Sequence, residues 1–286
     1  MRAFVAIFLI LGISSLPQMV RAEPRQWLTS EDEAIAQARK MDRPILVDLY
    51  ADWCGWCKRL EEDVFSTPAF QSFAEDFVLL RVDTEDGGEG SRLQERYDAF
   101  SLPTTLVLDF QGVMIAEVKG YAPAAQYVAT IRQEIKGFDE LIRGFERFGQ
   151  SDDPRVLGLL ADEFHQRNDG SRAADIYRRI LATDQLAPET AMRIRYQLTD
   201  ALRLADRYGE AFEELGKVRR EAIRATDGAL VQRLDLLAAQ ISLDGGDCAK
   251  ARSALEGFLG DYPTSDLVKV ARRTLRTIES EGYQCT

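Results

Sequence analysis

The chain has 286 residues and a formal net charge of −11 at pH 7, with 36 lysine and arginine residues against 47 aspartate and glutamate residues. A protein this acidic repels phosphate backbones, so nucleic acid is not expected as a partner. Four cysteines with only one histidine, His165, give little support for a Cys/His zinc site or a Cys-His catalytic pair. No cofactor or metal is expected, and His165 is predicted to lie on a helix surface.

The first 22 residues are typical of a signal peptide. Arg2 supplies a positive charge, residues 3–16 are nearly all apolar, and residues 20–22 (Val-Arg-Ala) form a small-residue cleavage site. The apolar run is shorter than the roughly 20 residues that a membrane-spanning helix needs. The sequence therefore predicts a periplasmic protein with no membrane span after cleavage, and a retained anchor is the less favoured alternative.

Residues 23–136 are expected to form one domain in which helices and strands alternate. Ser30 and Glu33 form a possible capping box for a helix that runs to about residue 40. Hydrophobic patterns predict the elements that follow: strand 45–50, helix 57–65, helix 68–75, strand 77–83, helix 92–97, strand 106–109, strand 113–118 and helix 124–135. This order predicts an α/β fold.

Two cysteines follow the first predicted strand, Cys54 and Cys57, with two residues between them. A strand, a short turn and a helix that begins at a Cys-x-x-Cys pair are the setting of a thiol–disulfide redox site. Cys54 would lie beside the unpaired N–H groups at the helix N-terminus, which favour the thiolate form. Cys54 is therefore the predicted attacking thiolate, and Cys57, one turn further in and more shielded, is the predicted resolving thiol.

Two carboxylates are candidates for the base that deprotonates Cys57. Asp48 interrupts an apolar strand, and burial raises the pKa of such a carboxyl group towards neutrality, where it can accept a proton. Glu61 lies four residues after Cys57 and so shares its helix face. The alternatives are a strand-end residue that reaches solvent for Asp48 and a solvated surface residue for Glu61.

Together these features resemble the thioredoxin-like superfamily, and within it the C-terminal periplasmic domain of the transmembrane reductase DsbD and related exported thioredoxin-like proteins. The residues that carry the resemblance are 48–54 (Asp-Leu-Tyr-Ala-Asp-Trp-Cys), Cys57, Lys58, Glu61 and 65–68 (Phe-Ser-Thr-Pro). The resemblance covers about residues 27–136. It implies a thioredoxin fold, a thiol–disulfide oxidoreductase activity, and a role for Glu61 in tuning the site.

The resemblance also implies which residues shape the substrate site. Pro103 lies where the family has a cis-proline that packs against the two sulfur atoms, with flanking backbone that can pair with an extended substrate. A trans proline that begins a strand is the alternative. The residues assigned to this role are Trp53, Gly55, Trp56, Leu102, Pro103 and Thr104.

Two departures from the family pattern stand out. The dipeptide between the cysteines is Gly55-Trp56, where thioredoxin has Gly-Pro, so the reduction potential cannot be inherited from the resemblance. A rough alignment also places Leu79 where thioredoxin has a buried lysine beside the aspartate. Asp48 is therefore expected to be more easily protonated here.

From about residue 137 the strand patterns end and helical periodicity takes over. Residues 137–153 are predicted to be a connector and residues 154–286 an all-α domain. Ala173, Ala211 and Ala251 each follow a turn and recur at roughly 40-residue spacing. This part resembles three tetratricopeptide-like helix pairs with a capping helix at 266–279, which implies a protein or peptide partner on the repeats. A purely structural or dimerising array is the alternative.

The other two cysteines are Cys248, at the start of one helix of the last pair, and Cys285, beyond the capping helix. Antiparallel neighbouring helices would bring these positions together, which predicts a structural disulfide. A second redox pair that exchanges electrons with Cys54 and Cys57 is the alternative.

The sequence thus predicts an exported thiol–disulfide oxidoreductase with a thioredoxin fold followed by a tetratricopeptide-like repeat domain. The reducing direction is favoured because the motif resembles a reductase domain. The expected partners are oxidised periplasmic protein thiols as substrates and a transmembrane electron donor of the DsbD type. The alternative is a redox-regulated periplasmic chaperone or adaptor whose repeats bind clients. A disulfide oxidase is less favoured, because oxidases of this fold often have histidine where Trp56 stands.

Overall fold

The computed structural model describes residues 26–183 and 186–279. The predicted signal peptide (1–22) and Cys285 lie outside the described residues. No helix in the described part of the chain is long and apolar enough to cross a bilayer.

A four-stranded sheet forms the centre of the N-terminal part, in the order β2-β1-β3-β4. β1 pairs in parallel with β2 and antiparallel with β3, which pairs antiparallel with β4. The strands are β1 (Ile45–Tyr50), β2 (Val78–Asp83), β3 (Thr104–Leu108) and β4 (Met114–Lys119). Because β1 and β3 are antiparallel, the carboxyl end of β1 and the amino end of β3 lie at the same edge of the sheet.

Five helices accompany this sheet. They are α1 (Glu31–Met41), α2 (Gly55–Leu60), α3 (Pro68–Phe73), α4 (Glu89–Arg96) and α5 (Ala124–Phe148). α2 continues into a π-helical turn, Glu61–Phe65. The apolar residues of the helices cover both faces of the sheet and form two separate hydrophobic clusters. This layered α/β arrangement confirms the expected fold class.

The start of α1 differs from the predicted capping box. Ser30 makes no side-chain cap bond within its own helix. Instead, the carboxylate of Glu89, on α4, accepts hydrogen bonds from the Glu31 backbone N–H at 2.9 Å and from the Ser30 hydroxyl at 3.4 Å. The predicted capping box with Glu33 was therefore wrong. A carboxylate remote in sequence accepts the hydrogen bonds of the groups at the start of α1 instead.

α5 extends well beyond its predicted end at residue 135. It runs without interruption to Phe148, through Gly137 and much of the predicted connector 137–153. The reason is burial: Leu141, Ile142 and Phe145 pack against the core of the C-terminal helices. This corrects the expectation that residues 137–148 form a connector, because one continuous helix joins the two parts of the chain.

The C-terminal part is all-helical in the described residues. Its helices are α6 (Pro154–Gln166), α7 (Gly170–Leu181), α8 (Pro188–Leu204), α9 (Tyr208–Arg224), α10 (Gly228–Asp244), α11 (Cys248–Asp261) and α12 (Val268–Glu279). Each helix packs against the next along the chain. Ala173, Ala211 and Ala251 are completely buried, so close helix contacts occur at the spacing read from the sequence.

Besides α5, two groups of hydrogen bonds join the described residues of the helical part to the sheet domain. At the first, Arg167 donates to the carbonyl of Ile115 at 2.9 Å, and its own carbonyl accepts from the Met114 N–H at 2.7 Å. At the second, the Thr277 hydroxyl on α12 donates to the Glu95 carboxylate on α4 at 3.1 Å. The first and last parts of the helical array are thus both anchored to the sheet domain.

Candidate active site

Cys54 and Cys57 form a disulfide at the N-terminus of α2. Cys54 is the N-cap residue, and its Sγ accepts a hydrogen bond from the Cys57 backbone N–H at 3.1 Å. In this oxidised form the exposed fractions of Cys54 and Cys57 are 4% and 2%, so the expected difference in shielding is small. The helix N-terminus nevertheless directs its free N–H groups towards Cys54.

The loop before β3 closes over the disulfide. The Leu102–Pro103 peptide bond is cis, and Leu102 packs against the cluster that contains Cys54 and Cys57. Thr104 is fully buried, and its hydroxyl donates to the Ser101 carbonyl at 2.5 Å. Leu102 lies beside the cysteines because β1 ends and β3 begins at the same edge of the sheet.

Asp48 lies within β1 and is 1% exposed. Neither of its carboxylate oxygens has a hydrogen-bond partner among the described residues. Burial raises the pKa of Asp48 to about 7, against an opposing effect of the nearby Arg81 guanidinium. A carboxyl group that titrates in this range can accept or release a proton at neutral pH.

The neighbour of Asp48 is Arg81 on β2, and the sequence interpretation missed it. The two residues are register partners, and Arg81 Nε lies 3.2 Å from Asp48 Oδ2. Leu79, expected beside Asp48, pairs instead with Leu46. The alignment was therefore wrong by two residues, and the expected easier protonation of Asp48 is opposed by a cation at this position. Counting the strand register from its apolar run could have found Arg81.

Arg81 also connects Asp48 to Glu61. Arg81 Nη2 lies 2.9 Å from Glu61 Oε2, and the guanidinium stacks over the Tyr50 ring at 4.4 Å. The hydrogen bond from Arg81 lowers the pKa of Glu61, whose side chain is 54% exposed. The structure thus places Glu61 at the solvent end of an acid–cation–acid row, with Asp48 at the buried end.

Aromatic side chains surround the disulfide on the surface. Trp53 and Trp56 are 69% and 56% exposed. Trp56 packs on Tyr121, with 5.5 Å between ring centroids, and Arg59 lies over both rings. A Cβ at Gly55 would meet no atom within 4 Å, so Gly55 faces open space. The sequence interpretation missed Tyr121, which follows β4 and is remote in sequence from the cysteines.

Two further residues from the sequence interpretation lie in the helical part. His165 lies on α6 with its side chain 23% exposed, and its Nε2 lies 2.9 Å from Asp200 Oδ2 on α8. Within the described ranges, no group of acidic, histidine and cysteine side chains could hold a metal ion. Cys248 begins α11, and its pairing with Cys285, which is outside those ranges, stays a prediction.

One family model matches the part of the chain that contains this site. Residues 26–109 match the family model described as thioredoxin-like. This part of the chain is a thioredoxin-like domain. With its Cys54–Cys57 pair, the thioredoxin-like domain is of the thiol–disulfide oxidoreductase type.

The curated relatives that match are longer proteins. The chain is 35% identical over 106 residues to the thiol:disulfide interchange protein DsbD of Ralstonia nicotianae, covering 36% of this chain and 17% of that protein. It is 38% identical over 104 residues to DsbD of Klebsiella pneumoniae, covering 35% and 17%. The matched segment spans about 17% of the length of these relatives, so their whole activity does not transfer to this chain.

Solved structures also match part of the chain. One is the oxidised DsbD C-terminal domain of Neisseria meningitidis, with 20% identity, a TM-score of 0.34, and coverage of 38% of this chain and 99% of that chain. Another is a thioredoxin from Thermus thermophilus, with 25% identity, a TM-score of 0.35, and coverage of 39% and 87%.

Proposed function

We propose that the protein is an exported thiol–disulfide oxidoreductase that reduces disulfide bonds of periplasmic proteins through Cys54 and Cys57. The observation that carries this proposal is the position of the cysteine pair, which lies at a helix N-terminus and against Leu102 of the loop before β3. The same domain contains the buried Asp48 carboxyl group, whose pKa is raised to about 7.

The reaction needs two thiol–disulfide exchanges. The Cys54 thiolate attacks one sulfur of the substrate disulfide, which forms a mixed disulfide and releases the other sulfur as a thiolate that takes up a proton. Cys57 then loses its proton to Asp48 and attacks the Cys54 sulfur. The mixed disulfide breaks, the second substrate sulfur leaves as a thiolate that takes up a proton, and the Cys54–Cys57 disulfide remains. Two electrons have passed to the substrate.

The surrounding residues have matching roles in this proposal. Asp48 serves as the proton acceptor, and Glu61 acts on it indirectly, because both carboxylates contact Arg81. Trp53, Gly55 and Trp56 form the surface that the substrate meets. Leu102, Pro103 and Thr104 supply the backbone edge that an extended substrate pairs with.

Another turnover requires two electrons to reopen the Cys54–Cys57 disulfide. We assign their supply to a transmembrane donor of the DsbD type, because relatives of the redox domain are named as thiol:disulfide interchange proteins. Residues 154–286 are proposed to form tetratricopeptide-like repeats that bind a protein partner, and Cys248 with Cys285 is proposed to be a structural disulfide.

The test is reduction of insulin disulfides with dithiothreitol as electron source. The wild-type chain should accelerate the reaction, and Cys54→Ser should abolish the acceleration. Cys57→Ser should accumulate a mixed disulfide with the substrate, visible by mass spectrometry without reductant. A Cys54→Ser chain that still accelerates reduction would contradict the proposal. If that variant instead still prevents aggregation of an unfolded client, the chaperone alternative gains support.

A further inference from the structure

α12 has an unusual charge for this protein. The chain as a whole has a net charge of −11. α12, in contrast, carries four cations and one acid: Lys269, Arg272, Arg273, Arg276 and Glu279. A terminal helix of a repeat array needs a polar outer face, but residues of either sign satisfy that need. A local excess of positive charge on an acidic protein therefore calls for another reason.

Three of these cations share one exposed face. Lys269, Arg272 and Arg276 have the spacing i, i+3, i+7, which places them on one side of a helix. The opposite side is buried, through residues such as Ala271 and Ile278. We call Lys269, Arg272 and Arg276 the basic stripe. Among residues 26–183 and 186–279, the ion pairs of α12 involve Arg273 and Glu279, and none involves the basic stripe.

Arg273 connects the basic stripe to the redox site. Its guanidinium lies over the ring of Phe100 at 4.2 Å, and its Nε lies 3.8 Å from the Glu95 carboxylate. Phe100 is 42% exposed and stands two residues before Leu102, which packs against the cysteine pair. Arg273 thus connects α12, which carries the basic stripe, to the loop whose Leu102 packs against the cysteine pair.

We propose that the basic stripe binds an acidic segment of the protein substrate while Cys54 attacks a disulfide nearby in that substrate. This inference rests on the proposed function and adds the class of substrate. The three cations of the basic stripe, which form no ion pair with the described residues, attract carboxylates, and the contact between Arg273 and Phe100 holds α12 against the loop before β3. The array thus takes part in choosing which disulfide is reduced.

A surface of anionic lipid is the other chemistry that cations attract. An interfacial helix also needs large apolar side chains beside its cations to enter the bilayer. On α12 the exposed large apolar residue is Val270, on the side of Arg273 rather than of the basic stripe. The contact of α12 with the loop before β3 favours a protein substrate, and vesicle binding is measured as the competing outcome.

The experiment uses the full chain and two disulfide-containing peptides of equal length, one flanked by aspartate and glutamate and one by asparagine and glutamine. The stripe variant is Lys269→Glu/Arg272→Glu/Arg276→Glu. The matched control, Lys40→Glu/Arg220→Glu/Arg224→Glu, makes the same change in net charge at exposed positions elsewhere. Circular dichroism checks that each variant is folded.

The wild-type chain should prefer the acidic peptide by about tenfold in kcat/KM at low ionic strength, with the preference falling as salt is added. The stripe variant should lose the preference, and the control should keep it. A wild-type chain without any preference, or a preference that survives in the stripe variant, would overturn the inference.

A binding measurement separates this inference from the proposed function. If neither peptide is reduced, the proposed function fails. Fluorescence anisotropy then measures how tightly the chain binds an acidic peptide whose cysteines are replaced by serine, and this affinity decides the inference. Binding that the stripe variant loses supports it, and absence of binding overturns it. Cosedimentation with phosphatidylglycerol vesicles that depends on the basic stripe, without any peptide preference, would assign the stripe to a lipid surface and also overturn it.

Discussion

Ionisation of Asp48 should control the stability of the thioredoxin-like domain. The carboxyl group is 1% exposed, and neither oxygen has a hydrogen-bond partner among the described residues. Its pKa rises from 3.8 to about 7 on folding. At about 1.4 kcal/mol for each pKa unit, the ionised carboxylate costs the folded state about 4 kcal/mol.

The direction of the pH dependence follows from the raised pKa. Between pH 3.8 and about 7 the folded chain keeps a proton on Asp48 that the unfolded chain has released. The free energy of unfolding therefore falls as pH rises through this range, and the full cost is present above it. Asp48→Asn has no charge to bury. Asp48→Asn should match the wild-type stability near pH 4 and exceed it at pH 8.5 by about 4 kcal/mol.

Urea unfolding of the oxidised chain at several pH values measures this effect. The three tryptophans, Trp27, Trp53 and Trp56, all lie in the thioredoxin-like domain, so their fluorescence reports on its unfolding. Glu62→Gln, at an exposed carboxylate that neighbours the site, is the matched control and should follow the wild type. A difference between Asp48→Asn and wild type that does not change with pH would refute the reasoning.

Three other predictions concern packing and the second cysteine pair. Gly170→Ala should destabilise the helical array by about 1–3 kcal/mol, because the new Cβ would lie 2.3 Å from the backbone oxygen of Ala201 on α8. The control Gly209→Ala places its Cβ in open space and should leave stability unchanged. Urea unfolding followed by circular dichroism measures both variants, and equal effects would contradict the packing argument. Tyr127→Phe should lower the free energy of unfolding by about 1–3 kcal/mol, because it removes the hydroxyl that donates to the buried Thr105 hydroxyl of β3 at 2.5 Å. Urea unfolding followed by tryptophan fluorescence measures this loss, and an unchanged stability would count against that hydrogen bond. Cys248→Ser/Cys285→Ser should lower the free energy of unfolding by up to roughly 3–4 kcal/mol, as expected when a disulfide that closes a loop of about 37 residues is removed. The double variant should still reduce insulin. Loss of insulin reduction in a folded variant would indicate a redox role for this pair instead.

Patterns local in sequence predicted the elements of the fold well. The apolar run at 45–50 gave β1 because a strand buried on both faces needs no polar alternation. The Cys-x-x-Cys pair was placed at a helix start because Cys54 and Cys57 lie within one turn of each other. Such patterns suffice where the deciding contacts lie within a few residues.

Features that depend on distant contacts were missed. Arg81 faces Asp48 through the strand register, Glu89 caps α1 from another helix, and Tyr121 packs on Trp56 after the chain has crossed the sheet. The length of α5 was underestimated because burial against the helical array outweighs the low helix propensity of a single glycine. The Glu89, Tyr121 and α5 outcomes depend on contacts between residues that are far apart in the sequence, whereas Arg81 could have been found by counting the strand register.

The reduction potential of the Cys54–Cys57 pair tests the central claim most directly. Equilibration of the chain with glutathione buffers, with mass spectrometry to follow Cys248 and Cys285 separately, measures it. A protein that reduces disulfides should give a value near about −230 mV or lower, in the range of thioredoxin-like reductants. A value near about −120 mV, like that of strong oxidants, would contradict the reducing direction and indicate a protein that introduces disulfides instead.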